Sequence, residues 1–334
     1  MFKKTIFSIS MALFCSATGL KADQVTVENF DRAETDTYIA GLAQKGAFGR
    51  IIHERDYASA DDQYVVRINL DTLYSFGVFD LSTPLTINKP DGDGRFQSLL
   101  VLDQDHYVVA IEHDPGMFEF TRETVGTDYA MVVFRTFADP QDPLDINKAQ
   151  KLQDGVSFEQ ADPGSLELPE WDQKSLSEIR TALKVLTSNV TDTSNFFGNR
   201  GEIDRLDHYM GTAAGFGGNP KTAALYFSNP VPDNDGLTPY KMKLKDVPAA
   251  AFWSVTVYNE SGFLVPNKEN KYSLNSVTAE PSDDGSFEVH FGAGTEFTNN
   301  IPIIDGWNYT LRVYQPIGAA LDGSWNDPVP ERME

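Results

Sequence analysis

"INLDTLYSFGVFDL", residues 68–81, holds two kinds of signal side by side. From Tyr74 onward it mixes aromatic and aliphatic residues with small or polar ones at short spacing, the pattern of a strand with a buried face. Ahead of that strand stand Asn69, Asp71 and Thr72, with Arg67 just before them. Residues of this kind tie turns, because Asx side chains accept from the backbone two residues on and threonine bonds back to the chain. They also make sites. Asp71 is a candidate general acid or base, Arg67 an anion clamp, and Tyr74 a hydrogen-bond donor. Both readings stand on the sequence.

Outward from this stretch, residues 64–137 keep a period near two. YVVRIN, LTINKP, FQSLLVLD, YVVAIEH and YAMVVFRTF are further short β-rich runs separated by Pro, Gly and Asp. "KPDGDGRF" at 89–96 reads as a hairpin, its Asp-Gly pairs suited to positive φ. The expected first module, residues 23–140, is an antiparallel sandwich or barrel preceded by one helix. That helix shows an apolar face at Ile39, Leu42 and Ala43 and a stop at Gly46.

Residues 141–218 change character and read as a helical bridge. Leu176, Ile179, Leu183 and Leu186 share one helical face, with Ser175 and Glu178 as a capping box. A second helix runs from about 202 into the glycine-rich "GTAAGFGG". In it His208 falls one turn after Asp204, so the two can meet, as a catalytic pair or as a surface ion pair. Residues 219–334 return to strands. In "FWSVTVYN", Trp253, Val255 and Val257 face one way, and Ser254, Thr256 and Tyr258 the other. Trp307 and Arg312 in "GWNYTLRVYQP" join Trp253 as candidates to stack on and hydrogen-bond a sugar-like ligand, or as an aromatic core. The fold class is thus mainly β: two antiparallel sandwich or jelly-roll-like modules joined by a helical bridge, with an N-terminal helix.

Lys and Arg total 27 against 49 Asp and Glu, a formal net charge of −22. That balance argues against nucleic acid and against anionic membrane surfaces. Hydrophobic residues at 41% and charged residues at 23% are an ordinary globular composition. The first residues, MFKKTIFSISMALFCSATGLKADQ, read as a secretory signal peptide over 1–22: a lysine pair, a short apolar run, then small residues. The expected location is therefore periplasmic or secreted. Cys15, the single cysteine, goes with the leader, so neither disulfide nor thiolate chemistry is expected in the mature chain. No mature segment has the length of a membrane span.

The chain carries no G-x-S-x-G, no H-E-x-x-H, no P-loop and no dinucleotide fingerprint, so no cofactor is expected. "DGDG" and "PDNDG" lack the later ligands of a calcium loop and read as turns, and no metal site is expected. His106 and His113, seven residues apart, point to opposite faces of a regular strand.

Taken together, several longer motifs resemble a bacterial family that pairs two domains of unknown function, numbered twelve-fifty-four and twelve-fourteen. The N-terminal motifs are "VTVENFDRAETD" (25–36), "NLDTLYS" (69–75) and "DGRFQSLLVLD" (93–103). The C-terminal ones are "HYMGTAAGFGGNP" (208–220), "AFWSVTVYNESGFLVPN" (251–267), "DGSFEVHFG" (284–292), "GWNYTLRVYQP" and "LDGSW". The resemblance implies sandwich or jelly-roll modules and an extracytoplasmic location, and no particular activity. One departure is Leu70, where the family often carries a base between Asn and Asp; Arg67 is the candidate substitute. The function expected is binding of a small or carbohydrate-like ligand in a cleft between the modules, lined by Arg67, Asn69, Asp71, Tyr74, Trp253, Trp307 and Arg312. The alternatives are a hydrolase or lyase using Asp71, or a structural, envelope-assembly role. A homo-oligomer is compatible with all three.

Overall fold

A computed structural model describes residues 22–61, 63, 65–190 and 192–334. Apart from Ala22, the expected leader lies outside the described residues, and so does Cys15. In chain order the first module contains α1 (Phe30–Gln44), β1 (Ile51–His53), β2 (Thr72–Asp80), β3 (Leu85–Lys89), β4 (Gln97–Asp103), β5 (Val108–Glu112), β6 (Gly116–Phe120), the short α2 (Arg122–Val125), β7 (Tyr129–Phe137), α3 (Pro143–Asp154) and β8 (Ser157–Gln160). One sheet runs β1-β2-β7-β4-β5 and a smaller one β6-β3-β8, each with antiparallel neighbours.

Alternation along the strands decides what fills the space between and outside these sheets. Phe79, Leu99, Val101, Val132 and Phe134 meet Leu85, Ile87 and Phe120 of the small sheet. The opposite face of the large sheet presents Phe76, Val78, Leu100, Leu102, Met131 and Val133 to Ile39 and Leu42 of α1. Helix α1 is apolar on a second side too. There Phe30 and Ala33 pack against α4 (Gln173–Thr187) and α5 (Arg205–Ala214) through Leu176, Leu183, Tyr209 and Met210. The bridge helices therefore lie on the same side of the large sheet as α1.

The second module is a sandwich of two four-stranded sheets. Its strands are β9 (Ala224–Phe227), β10 (Tyr240–Leu244), β11 (Ala249–Tyr258), β12 (Ser273–Asn275), β13 (Phe287–Phe291), β14 (Asn300–Ile301), β15 (Asn308–Pro316) and β16 (Glu331–Arg332). The sheet orders are β12-β11-β15-β9 and β14-β13-β10-β16. All pairings are antiparallel except β13 with β14. The core between the sheets holds Trp253, Val255, Val257 and Leu311 against Met242, Leu244, Val289 and Phe291. The chain is mainly β, with the two antiparallel modules and the front helix that the sequence predicts.

Four local expectations change. "KPDGDGRF" does turn, with Asp93 at φ 51° and Gly94 at φ 81°, but β3 and β4 on either side of it belong to different sheets, so it is a corner rather than a hairpin. Within the stretch read as bridge, Asp142 caps α3 by accepting from Leu144 N, with Pro143 opening the helix, and β8 returns to pair with β3. Helix α4 begins earlier than expected: Asp172 caps it by accepting from Ser175 N. Helix α5 begins later than expected, at Arg205: Asp204 caps it by accepting from Leu206 N and does not pair with His208.

Helix α3 is pinned to the corner by Arg95, whose guanidinium grips the Asp145 carboxylate and also donates to Phe137 O at 2.8 Å. This hold pulls the Asp145 pKa down to about 2. A carboxylate depressed in the folded state adds stability above its unfolded pKa and loses it as pH falls through the folded one. Asp145→Asn is therefore expected to lower unfolding free energy by about 2 kcal/mol at pH 7, with the gap to the parent closing between about pH 4 and pH 2. Urea unfolding across that range reads it; a gap that stays constant would contradict this account.

Candidate functional site

The segment that precedes β2 lies across the outer face of the β11–β15 sheet of the second module. Alternation puts Thr256, Tyr258, Thr310, Arg312 and Tyr314 on that face, and the first module buries them. Arg312 Nη2 donates to Arg67 O at 2.7 Å and to the Tyr258 hydroxyl at 2.7 Å; Tyr258 in turn donates to Ile68 O at 2.7 Å. Asn69 Nδ2 donates to the Tyr314 hydroxyl at 3.0 Å. Arg67 itself takes a left-handed backbone, φ 52°, rare for a side chain of its size, and its amide donates to Gly262 O.

Asn69 also ties the turn. Its Oδ1 accepts from Asp71 N at 3.1 Å and from Thr72 Oγ1 at 3.3 Å. Asp71 does neither of the things its sequence context suggests. It binds none of its own turn's amides and does not face Arg67. Its side chain is fully buried, Oδ1 accepting from Asn275 Nδ2 at 3.3 Å, while Oδ2 and the neighbouring Ser254 hydroxyl have no hydrogen-bond partner among the described residues. Burial pushes its pKa up, against the charge of Arg312 and the hydrogen bond from Asn275.

Where the two modules and the bridge meet, a cavity of about 420 Å³ remains. Arg67, Asn69 and Tyr74 line it from the first module, Tyr226, Thr310, Arg312 and Tyr314 from the second. Arg135 of β7, Lys184 of α4 and the 215–219 loop complete the wall. Three of the four cations are held by neutral groups: Arg67 by Asn308 and Thr310, Arg135 by Asn219 and Gly217 O, and Arg312 by Thr256, Tyr258 and Arg67 O. None forms an ion pair with a carboxylate of the described residues. Burial lowers the Arg67 pKa, and Arg312 adds like-charge repulsion; burial likewise lowers Lys184, helped by Arg180 and Arg67. The one carboxylate on the wall among the described residues is Glu260.

The 215–219 loop is set by a buried histidine. His106 Nε2 accepts from Gly217 N at 2.7 Å, which requires the proton on Nδ1, 2.8 Å from Thr212 Oγ1. Burial holds its pKa well below the ordinary value, with His208 adding to the effect, so the ring is neutral. At Gly218 a Cβ would meet the Phe197 ring at 2.2 Å, so any other residue there forces the ring to shift.

The remaining sequence candidates fall elsewhere. Trp253 and Trp307 sit in the core of the second sandwich, the latter wholly buried, and neither lines the cavity. Their apolar neighbours along the strand, Val255 and Leu311, give the physical reason: these tryptophans lie on the inner face. His208 is also fully buried, its Nε2 2.8 Å from Asp105 O, its ring stacked on Tyr107 and 3.6 Å from Asp31 rather than paired with Asp204. His53 Nδ1 lies 2.8 Å from Ser75 Oγ, a serine–histidine contact, but Ser75 is buried on the face of β2 opposite Tyr74 and takes an amide proton from Gln153.

Sequence reasoning missed Arg135, Lys184, Tyr226 and the loop. Arg135 left a signal, being the one charge inside YAMVVFRTF. Lys184 left none, since a lysine beside an apolar helical stripe is ordinary.

Comparison with known proteins now adds a frame. The sequence model of the protein of unknown function DUF1254 matches residues 48–118, and that of the protein of unknown function DUF1214 matches residues 226–317. The two matches fall on one chain, DUF1254 in the first module and DUF1214 in the second. The DUF1254 match supplies Arg67, Asn69 and Tyr74, and the DUF1214 match supplies Tyr226, Arg312 and Tyr314. Arg135, Lys184 and the loop come from between the two, so the cavity is assembled only when DUF1254 and DUF1214 regions dock. The fold is similar to that of the VPA0106 protein from Vibrio parahaemolyticus, with TM-score 0.68 and 18% identity over 92% of this chain and 98% of that one. An uncharacterised protein from Burkholderia cenocepacia aligns at TM-score 0.49 and 10% identity, over 92% of this chain and 86% of that one. A comparison with curated proteins gives no match.

The buried carboxyl of Asp71 makes a checkable signature. An acid whose pKa is raised in the folded state binds its proton more tightly there, so its contribution weakens as pH rises from its unfolded pKa through the folded one. Asp71→Asn keeps an acceptor for Asn275 and removes that titration. Relative to the parent, the variant is expected to gain stability progressively from about pH 4 upward in pH-dependent unfolding. An equal loss at every pH would show that folding does not shift this carboxyl's pKa and would contradict the reading.

Proposed function

We propose that this protein is a binding protein for a small molecule bearing an anionic group, held in the cavity at the junction of the two modules, and that it works outside the cytoplasmic membrane after loss of its leader. One observation carries the reading: Arg67, Arg135, Lys184 and Arg312 surround the cavity with only Glu260 among the described residues to oppose them, in a chain whose net charge is −22. Grouping cations at a partly buried site is unfavourable unless something neutralises them. Guanidinium groups suit a carboxylate or phosphate, which they engage by charge-assisted hydrogen bonds. The acidic exterior repels such a ligand at long range, but salt screens that field within about 8 Å. Recognition then falls to contacts inside the cavity.

The site supports binding better than hydrolysis. Asp71, the expected acid or base, does not line the cavity, and Ser75 is buried away from it. The tryptophans expected to stack on a sugar are core residues. Location outside the membrane rests on the leader-like residues 1–22.

Benzoate and its near-isostere benzamide separate charge from shape. Titration calorimetry is expected to show saturable binding of benzoate and at least about ten-fold weaker binding of benzamide. Lys184→Gln, at a half-buried side chain with no ion-pair partner among the described residues, should weaken benzoate while thermal unfolding stays that of a folded protein. Equal affinity for the two compounds, or no binding of either, would overturn the proposal.

A further inference from the structure

A second cavity, about 520 Å³, adjoins the first. Seven wall residues are common to both: Val65, Val66, Tyr74, Arg135, Lys184, Phe216 and Gly217. The character of the wall changes across them. The second cavity is bounded by Phe76, Leu102, Met131 and Val133 of the large sheet and by Tyr38 of α1, which stacks on Phe216 at 3.8 Å between ring centroids. Its charged rim is mostly neutralised within the protein, because Arg180 grips Glu34 and Lys45 lies 3.7 Å from Glu54. That leaves Arg135 and Lys184, on the shared wall, as the cations without a carboxylate among the described residues.

Gly41 supplies an independent observation. It lies inside α1, where glycine weakens a helix relative to alanine. Crowding does not explain it, since a Cβ built there meets nothing within 4 Å, and the residue lines the second cavity. A helix that gives up a side chain facing an apolar chamber keeps that chamber open.

We infer that the ligand is amphipathic, a carboxylate or similar anion on an apolar body, with its charged end at Arg135 and Lys184 and its body in the chamber formed by α1 and the large sheet. This rests on the anion-binding reading above and names its ligand class. Arg135 is placed for such a role. Its guanidinium stands 5.5 Å from the centroid of the Tyr74 ring, which stacks on Phe76, so charge and aromatic wall meet at one point. The shared wall lets one molecule touch both environments, while either cavity alone would take only a small anion or only an apolar compound.

Decanoate, acetate and decanol test this by calorimetry on the folded chain, below micelle-forming concentration. Each methylene buried is worth about four-fold in affinity. Decanoate is expected to bind at least about a hundred-fold tighter than acetate, and about ten-fold tighter than decanol. Gly41→Leu fills the chamber and improves helix propensity, and should cut the decanoate-to-acetate ratio at least about ten-fold; Gly41→Ala, with one added carbon, should cut it less. Decanoate binding no tighter than acetate, or a ratio unmoved in a folded Gly41→Leu protein, would overturn the inference and leave the anion site standing. Failure of benzoate and both carboxylates to bind would remove the anion-binding reading itself.

Discussion

Residues 67–71 lie on the polar face of the β11–β15 sheet, and that docking sets most of what surrounds it. Two main-chain carbonyls, those of Arg67 and Ile68, leave water at the junction and are satisfied by Arg312 and Tyr258 from the other module. A buried backbone acceptor without a partner is unfavourable, so the register of this contact is fixed by hydrogen bonding rather than by apolar packing alone. Arg67 accepts a left-handed backbone to make it. Because Tyr74 and the large sheet follow directly in the chain, this contact also fixes how the first module meets the second, and the cavity is the space it leaves.

The docking buries positive charge. Arg312 is needed for the carbonyls, and Arg67 lies beside it, so two guanidinium groups share one wall; Arg135 and Lys184 add a third and fourth from the sheet and the bridge. Neutral oxygens hold three of them in place. Structural need explains Arg312 well and Arg67 in part. It does not explain Lys184, which ties nothing among the described residues. Opposite lies Asp71, buried with one oxygen unpaired and held toward its neutral form.

Much of the architecture was legible in the sequence because period-two alternation survives in both modules. Trp253, Val255 and Val257 did face one way, and Ser254, Thr256 and Tyr258 the other. What alternation could not say is that the polar face is buried as well, against a partner more than a hundred residues away in the chain. The same blindness misplaced the tryptophans: an aromatic beside asparagine and arginine reads as a stacking platform until the inner face of the sheet is known. Asn69 was legible as a turn residue, and its second contact with Tyr314 was not. Asp204 and Asp172 illustrate a smaller failure, in which helix caps were read as a charge partner or passed over, although Asp before a helical stripe is a start signal. Arg135 stood out as a lone charge in an apolar strand; its role emerged only when strand, bridge and loop were brought together.

The central claim, that the junction is a binding site with a charged end and an apolar end, is tested most directly by anomalous diffraction from crystals grown with para-iodobenzoate. The account predicts one iodine peak in the chamber walled by Tyr38, Phe76 and Met131, with the carboxylate directed at Arg135 and Lys184. Iodine confined to the molecular surface, or a carboxylate turned away from those two cations, would contradict it.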